Sequence, residues 1–318
     1  MLPETTQTTE RRIKVLLAYG AIYLIWGSTY LAIRLAIETI PPFLMAGTRF
    51  VIAGGIVLVW MRIQKSPAPT LSQWKAAWFI GFLLLAVGNG ALSWAEQRVP
   101  SGVAALIIAS IPAMVVILEF MLSGVRPSLA TTGGLLMGSI GTLVLVDPAR
   151  LAGAGGVDLI GASVLLVGSL SWAYGSLYSR TAPQASPPLQ STGMQMLAGG
   201  IVLLGVGFVT GEAREISFEA ISIVSVVSVG YLVIFGSLIA FSSYIWLLKV
   251  SAPARVSTYA FVNPMIALIL GWMFAGEDLN MRILVASTLT VVAVGLIVGG
   301  RYRSGTKQPP PNSPELDV

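Results

Sequence analysis

Apolar residues occur along this chain in long, nearly uninterrupted blocks. Each block holds about 20 residues, the length that an α-helix needs to cross a bilayer, and short polar stretches separate the blocks. The pattern predicts ten transmembrane helices, over residues 15–37, 42–61, 76–95, 101–120, 129–146, 159–179, 189–210, 221–248, 254–275 and 283–300. The predicted fold class is an all-α membrane protein, and the loops are too short to hold a soluble domain.

The composition narrows the function classes. Hydrophobic residues make up 55% of the 318 residues and charged residues 10%, whereas soluble proteins carry about 25% charge. Without histidine or cysteine, the chain lacks an imidazole base, a thiolate nucleophile and the usual metal ligands. No lysine follows a glycine, so no phosphate-binding loop is present. We therefore predict neither an enzyme nor a cofactor or metal site.

The distribution of charges predicts the orientation. Thirteen of the nineteen basic residues fall on the side of the N-terminus, and the acidic residues collect on the other side. By the positive-inside rule both termini are expected in the cytoplasm. The net charge of +5 therefore indicates membrane orientation and gives no reason to expect nucleic acid as a partner.

The two halves of the chain resemble each other. The segment 41–58 recurs as 187–203. Trp26 corresponds to Trp172 at an offset of 146 residues. Trp94 and Pro112 correspond to Trp246 and Pro264 at an offset of 152. Because each half has five predicted spans, the second copy would enter the membrane from the opposite side. This predicts two five-helix inverted-topology repeats around a central cavity.

We expect four segments along the chain. These are a cytoplasmic tail over residues 1–14, a first repeat over 15–148, a second repeat over 149–300 and a cytoplasmic tail over 301–318. Disorder is expected over residues 1–12 and in the C-terminal tail.

The same segments carry a family resemblance. Residues 25–28, 46–50, 171–176, 263–264 and 275–277 resemble both copies of the EamA repeat, within the drug/metabolite transporter superfamily. The resemblance covers residues 15–300 and is closest to bacterial inner-membrane exporters. It implies a ten-helix bundle that exports small metabolites, amino acids among them, through a cavity lined by spans one, three, four, six, eight and nine. It places span two at the periphery.

Two prolines interrupt predicted spans. Pro112 and Pro264 lack an N–H, so each frees the carbonyl four residues earlier, at Ile108 and Ala260. These sites are interpreted as hinges of broken helices whose carbonyls would accept a substrate ammonium. A simple kink packed against a neighbouring helix is the alternative.

Aromatic and hydroxyl residues cluster near the middle of spans one and six. Trp26 and Trp172 are followed by small hydroxyl-bearing or aromatic residues, which suits an amphiphilic ligand, although helix packing is the alternative. Asn89 and Asn263 are expected either to bind a polar head group or to join helices. The predicted substrate-binding residues are Trp26, Ser28, Thr29, Asn89, Trp172, Tyr174, Tyr244, Tyr259 and Asn263.

Two charges fall within predicted spans. Arg49 lies inside span two, and its repeat partner is the neutral Gln195. An intramembrane charge indicates function by default, yet the peripheral position implied for span two favours a structural clamp. Glu119, at the cytoplasmic end of span four, is expected to reach the interface or to pair with Arg126.

Together these features predict a secondary transporter in a bacterial inner membrane, exporting small amphiphilic metabolites, amino acids first, by alternating access. Its partners would be a small-molecule substrate and the lipid bilayer, and it would be a monomer or a homodimer. Two alternatives remain: a transporter of drugs or other metabolites with the same fold, and a non-transporting receptor or assembly subunit.

Overall fold

The protein is built from long α-helices. The computed structural model describes residues 4–99, 104, 107–146, 158–266 and 281–300. The principal helices are α1 (Glu4–Ile37), α2 (Pro42–Ile63), α3 (Leu71–Ala95), α4 (Ile111–Ser123), α5 (Leu129–Val146), α6 (Leu159–Thr181), α7 (Pro188–Val209), α8 (Ile223–Val250) and α9 (Met281–Gly299). Short helical turns cover residues 212–215, 218–220 and 253–256, and residues 259–266 form a further helical segment.

Six of these helices, within the described residues, are long and apolar enough to cross a membrane: α1, α2, α3, α6, α7 and α8. Residues 111–123, 129–144 and 284–299 form shorter apolar helices. The predicted span over 254–275 is described only as far as residue 266, and the C-terminal tail over 301–318 lies outside the described residues.

The helix starts follow local sequence signals. Pro42 and Pro188 each stand in the first turn of their helix, where the missing N–H costs nothing. Thr70 and Gln73 cap α3 reciprocally: the Thr70 backbone N–H donates to Gln73 Oε1 at 2.8 Å, and the Gln73 N–H donates to Thr70 Oγ1 at 3.4 Å. The C-terminal end of α4 also has a local signal: the helix is capped by Gly124, whose φ of 66° lies in the left-handed region.

The structure corrects the expectation for the N-terminal tail, because α1 begins at Glu4 and residues 4–12 are helical instead of disordered. Glu10 pairs with Lys14 one turn later, at 2.6 Å, which supports a helix in this polar stretch.

Glycines let equivalent helices of the two halves pack backbone to backbone. A methyl group on Gly54 of α2 would lie 2.6 Å from the Leu197 amide nitrogen, and one on Gly200 of α7 would lie 2.7 Å from the Val51 amide nitrogen. Gly54 and Gly200 are separated by 146 residues, as are Val51 and Leu197. The contacts are therefore reciprocal, as in an isologous interface.

The same reciprocity joins α5 and α9. A methyl group on Gly134 would lie 2.8 Å from the Ala293 carbonyl oxygen, and one on Gly141 would lie 3.3 Å from the Ala286 carbonyl oxygen. Here Gly134 and Ala286, and likewise Gly141 and Ala293, are 152 residues apart.

Two helices contain widened, π-helical turns. They cover Phe82–Asn89 of α3 and Leu232–Phe241 of α8, and an offset of 152 residues places the first segment on 234–241. Such turns are rare and are often found at functional sites. Both segments contribute residues to the cavity described next.

Candidate functional site

A cavity lies between the helices, with about 740 Å³ of space free of protein atoms when its open mouth is included. Its walls come from α1, α2, α3, α4, α6, α8 and the 259–266 segment, together with Ile108. Most of the lining is apolar or aromatic, with a few polar side chains, which is the usual character of a small-molecule site.

An aromatic cluster forms one wall of this cavity. Trp26 stands at its centre, with ring centroids 5.6 Å from Trp172, 5.0 Å from Tyr244 and 4.8 Å from Tyr259. Trp26 Nε1 donates to the Gly236 carbonyl at 3.3 Å, within the widened turn of α8. Trp172 Nε1 donates to the Tyr244 hydroxyl at 2.9 Å. Because both indole N–H groups have protein partners, the tryptophans offer a ligand their ring surfaces.

Small residues make room for this wall. A methyl group on Gly88 of α3 would lie 2.9 Å from Trp172 Cε3, and one on Gly168 of α6 would lie 2.6 Å from Ala91 Cβ. The two glycines allow α3 and α6 to approach closely beside the Trp172 ring.

The predicted binding residues fall into two groups. Those that line the cavity are Trp26, Thr29, Asn89, Trp172, Tyr259 and Asn263. Tyr244 lies directly behind the ring of Trp172, and its hydroxyl also contacts Ser176 Oγ at 2.6 Å.

Ser28 and Tyr174 are not among the lining residues. The Ser28 hydroxyl is used between helices, donating to the Ile25 carbonyl at 2.7 Å and contacting the Tyr231 hydroxyl at 2.6 Å. Tyr174 is 37% exposed on the outer surface of α6. Two residues along a helix turn the side chain by about 200°, so Tyr174 and Trp172 point in nearly opposite directions.

Asn263 joins the 259–266 segment to α1. With its nitrogen toward the nearest acceptors, the Asn263 amide donates to the backbone carbonyls of Tyr23 at 3.2 Å and Tyr259 at 3.0 Å. The amide therefore bridges helices while lining the cavity.

The two prolines stand in different surroundings. Pro112 lies in the first turn of α4, directly after a turn at residues 109–110, so it starts a helix instead of kinking one. Ile108, the residue whose carbonyl it leaves without a helical donor, lines the cavity. Pro264 lies within the 259–266 segment, after a turn at 257–258. Ala260, the residue four positions before it, is buried and is not among the lining residues.

Arg49 has a position that the sequence interpretation did not favour. The structure corrects the peripheral placement of α2, since both Arg49 and Phe50 line the cavity. Arg49 is 4% exposed, and its Nη2 donates to Asn89 Oδ1 at 2.6 Å. Its guanidinium carbon lies 4.3 Å from the centroid of the Phe50 ring.

Glu96, which directly follows α3, interacts electrostatically with this arginine. One carboxylate oxygen, Oε2, is buried without a hydrogen-bond partner. Burial raises the pKa of Glu96 to about 8, against the lowering effect of Arg49 and Arg34. The carboxyl group is therefore mostly protonated at neutral pH. From the sequence alone, Glu96 is grouped with the acidic residues of the loops, because it stands at the end of an apolar run.

Glu119 forms an ion pair other than the expected one. It contacts Arg180 Nη1 of α6 at 3.4 Å, instead of Arg126. Arg180 Nε also donates to the Leu248 carbonyl at 3.0 Å, so this arginine ties α4, α6 and α8 together away from the cavity lining.

These features define a polytopic helical membrane protein with a ligand-sized cavity inside its helix bundle. The sequence matches the EamA-like transporter family over residues 13–147 and again over residues 159–299. The chain belongs to this family of transporters.

Relatives and one solved structure resemble the chain over most of its length. It is 37% identical to the inner membrane transporter YedA of Escherichia coli (strain K12), over 90% of each chain. It is 24% identical to the transporter YoaV of Bacillus subtilis (strain 168), over 87% of this chain and 94% of YoaV. A solved structure titled "Crystal structure of protein" matches with a TM-score of 0.71 and 20% identity, covering 89% of this chain and 95% of that one. That likeness supports the fold.

Proposed function

We propose that the protein is a secondary transporter that exports small amphiphilic metabolites, amino acids first, across a bacterial inner membrane by alternating access. The observation that carries the proposal is the cavity itself. It combines an aromatic wall around Trp26 with a polar side formed by Arg49 and Asn89, in a member of a transporter family. The relative YedA is named as an inner membrane transporter, which supports the location.

Alternating access requires two halves that move against each other. The reciprocal contacts of α2 with α7 and of α5 with α9 support a two-fold relation between the halves. Ten spans in two five-span halves would then make the repeat inverted, with the substrate site between the halves. The widened turns of α3 and α8, at corresponding positions and both beside the cavity, supply irregular backbone where the helices would flex.

The proposed roles follow the chemistry of the lining. Trp26 and Trp172 would contact the apolar part of the substrate. Thr29, Asn89 and Asn263 would contact its polar head, and the Ile108 carbonyl would accept a hydrogen bond from an ammonium group. Tyr259 would complete the aromatic wall, and Tyr244 would hold Trp172 in place through its hydroxyl.

The test is release from liposomes that contain the purified protein and a mixed panel of amino acids. Mass spectrometry of the outside solution, with and without an imposed pH gradient, follows the release. We expect protein-dependent release of apolar amino acids. Release of none of them, in either condition, would contradict the amino-acid proposal and favour another substrate class or a receptor role.

A matched pair of variants ties the release to the cavity. Trp172→Ala removes a cavity-lining ring, and we expect it to lower the release rate at least tenfold. Trp60→Ala removes a ring that is 53% exposed on α2, and it should leave the rate within twofold of the wild type. Size-exclusion chromatography checks that both variants remain folded. Equal rates for the two variants would place transport elsewhere in the molecule.

A further inference from the structure

Arg49 brings a positive charge into the cavity. It lies seven residues after the start of α2, which places it about 10 Å along the helix axis. An unpaired arginine within a membrane span is energetically costly. The cost calls for a compensating partner.

The protein supplies only part of that compensation. A guanidinium carries five N–H donors. Among the described residues, Asn89 accepts one of these hydrogen bonds, and the buried Arg49 Nε has no acceptor. No carboxylate in the described part of the chain forms an ion pair with Arg49, and the Phe50 ring provides a weaker cation–π contact.

Helix packing does not account for the charge. The equivalent position in the second half of the chain is Gln195, which is fully buried in α7 and is not among the cavity-lining residues. A neutral side chain therefore occupies the same place in the repeat outside the lining of this cavity. The cation occurs on the copy that faces the cavity.

Asn89 holds the arginine in a defined position. Asn89 Oδ1 accepts a hydrogen bond from Arg49 Nη2, and the Asn89 backbone belongs to the widened turn of α3. The remaining N–H groups of the guanidinium fork match the two oxygens of a carboxylate, which an arginine binds in a bidentate manner.

We propose that Arg49 binds the carboxylate of the transported substrate, with Asn89 as its positioning residue, so that the cavity selects acids and zwitterions over amines. The proposal rests on the transport function proposed above and names its substrate class. It also assigns orientation: the carboxylate lies against α2 and α3, and the apolar body lies on the rings of Trp26 and Trp172.

The first test compares phenylalanine with phenylalaninamide, which keeps the ring and the amine but lacks the carboxylate. Liposomes with wild-type protein are loaded with each compound, and leakage from protein-free liposomes is subtracted. We expect phenylalanine to leave at least ten times faster than phenylalaninamide. Equal rates would overturn the proposal, because the cavity would then not recognise the carboxylate.

Variants assign the recognition to Arg49. Arg49→Gln is expected to slow phenylalanine at least tenfold while leaving phenylalaninamide within twofold of wild type, and Arg49→Lys should give an intermediate rate. Arg62→Gln makes the same charge change at an exposed position at the end of α2, outside the cavity lining, and should change neither rate. Loss of both compounds in both Arg49 variants would show that the arginine serves the fold, and it would overturn the proposal.

A binding measurement separates this proposal from the transport function. In detergent, a ligand that binds the folded state raises the thermal midpoint, and the rise grows with the logarithm of ligand concentration above the Kd. We expect phenylalanine to raise the midpoint of the wild type but not of Arg49→Gln, and phenylalaninamide to raise neither. This pattern without any release from liposomes would support the carboxylate site and count against the transport proposal alone. A midpoint raised equally by phenylalanine in wild type and Arg49→Gln would overturn the site.

Discussion

At the residue scale, the cavity contains two different surfaces. One is a cation whose charge the protein compensates only in part, and the other is an aromatic wall whose polar groups already have hydrogen-bond partners. Arg49 has one protein acceptor within the described residues, whereas the indole N–H groups of Trp26 and Trp172 donate to Gly236 and Tyr244. A ligand can therefore form an ion pair with the Arg49 guanidinium at one place and makes mainly apolar contacts with the tryptophan rings at another. This division suits a molecule with a carboxylate at one end and an apolar body.

Glu96 makes this site sensitive to pH. The charged or titratable groups that act on it are Arg49 on α2 and Arg34 and Tyr30 on α1. Because burial raises the pKa of Glu96 to about 8, the neutral form predominates at pH 7 and leaves Arg49 available. Above pH 8 the ionised carboxylate would compete with the substrate for the guanidinium.

We therefore predict that the apparent affinity for phenylalanine falls between pH 6.5 and pH 8.5. Glu96→Gln removes the ionisation and should flatten the profile, whereas Glu219→Gln, in the loop before α8, should keep the wild-type profile. Binding is measured in detergent across this pH range. A fall of equal size in Glu96→Gln would show that Glu96 is not the titrating group.

Residue types were easier to predict than residue directions. The two tryptophans were identified as cavity residues because they stand mid-span at corresponding positions of a repeat. Tyr174 was included for its nearness in sequence to Trp172, but helical geometry points it outward. The role of Arg49 depends on the position of α2 in the helix bundle. Apolar periodicity cannot predict that position, because α2 is hydrophobic all round.

At the element scale, glycines decide which helices meet. The reciprocal contacts of α2 and α7 require backbone groups to approach each other, and a side chain at Gly54 would prevent this. The next residue, Gly55, has no atom within 4 Å of the place that a methyl group would occupy. Alanine substitutions at Gly54 and Gly55 therefore compare a crowded position with an open one on the same helix.

We predict that Gly54→Ala destabilises the protein by about 1–3 kcal/mol, the usual cost of forcing an extra carbon into a packed contact. Gly55→Ala should be neutral or slightly stabilising, because alanine is the better helix former by about 1 kcal/mol. Thermal unfolding in detergent measures both variants. Equal midpoints would show that the α2 and α7 contact contributes little to stability.

Sequence signals located most helix ends but not the irregular turns. The apolar blocks predict starts at residues 42 and 189, and the helices begin at Pro42 and Pro188. The start of α3 at Leu71 was missed, since its polar first turn resembles a loop, although Thr70 and Gln73 form a capping pair. The widened turns lie in continuous apolar runs, and no hydrophobic periodicity in these runs distinguishes a π-helical turn from an α-helical one.

At the scale of the whole molecule, alternating access requires a single cavity that opens to each side of the membrane in turn. A transporter of two related halves achieves this when one half rocks on the other around a fixed site. The chain offers a direct approach to this question, because its 318 residues include no cysteine. Any cysteine introduced by substitution is therefore the sole thiol of the protein.

The most direct measurement is the accessibility of such a thiol from each side. Ser169→Cys places it in the cavity lining, in vesicles of known orientation treated with a membrane-impermeant maleimide from one face at a time. Ser66→Cys and Gln97→Cys, in the loops after α2 and α3, serve as markers for the two faces. We predict that each marker reacts from one face only, on opposite sides, while Ser169→Cys reacts from both and is protected by phenylalanine. Reaction of Ser169→Cys from one face alone, or from neither, would contradict alternating access through this cavity.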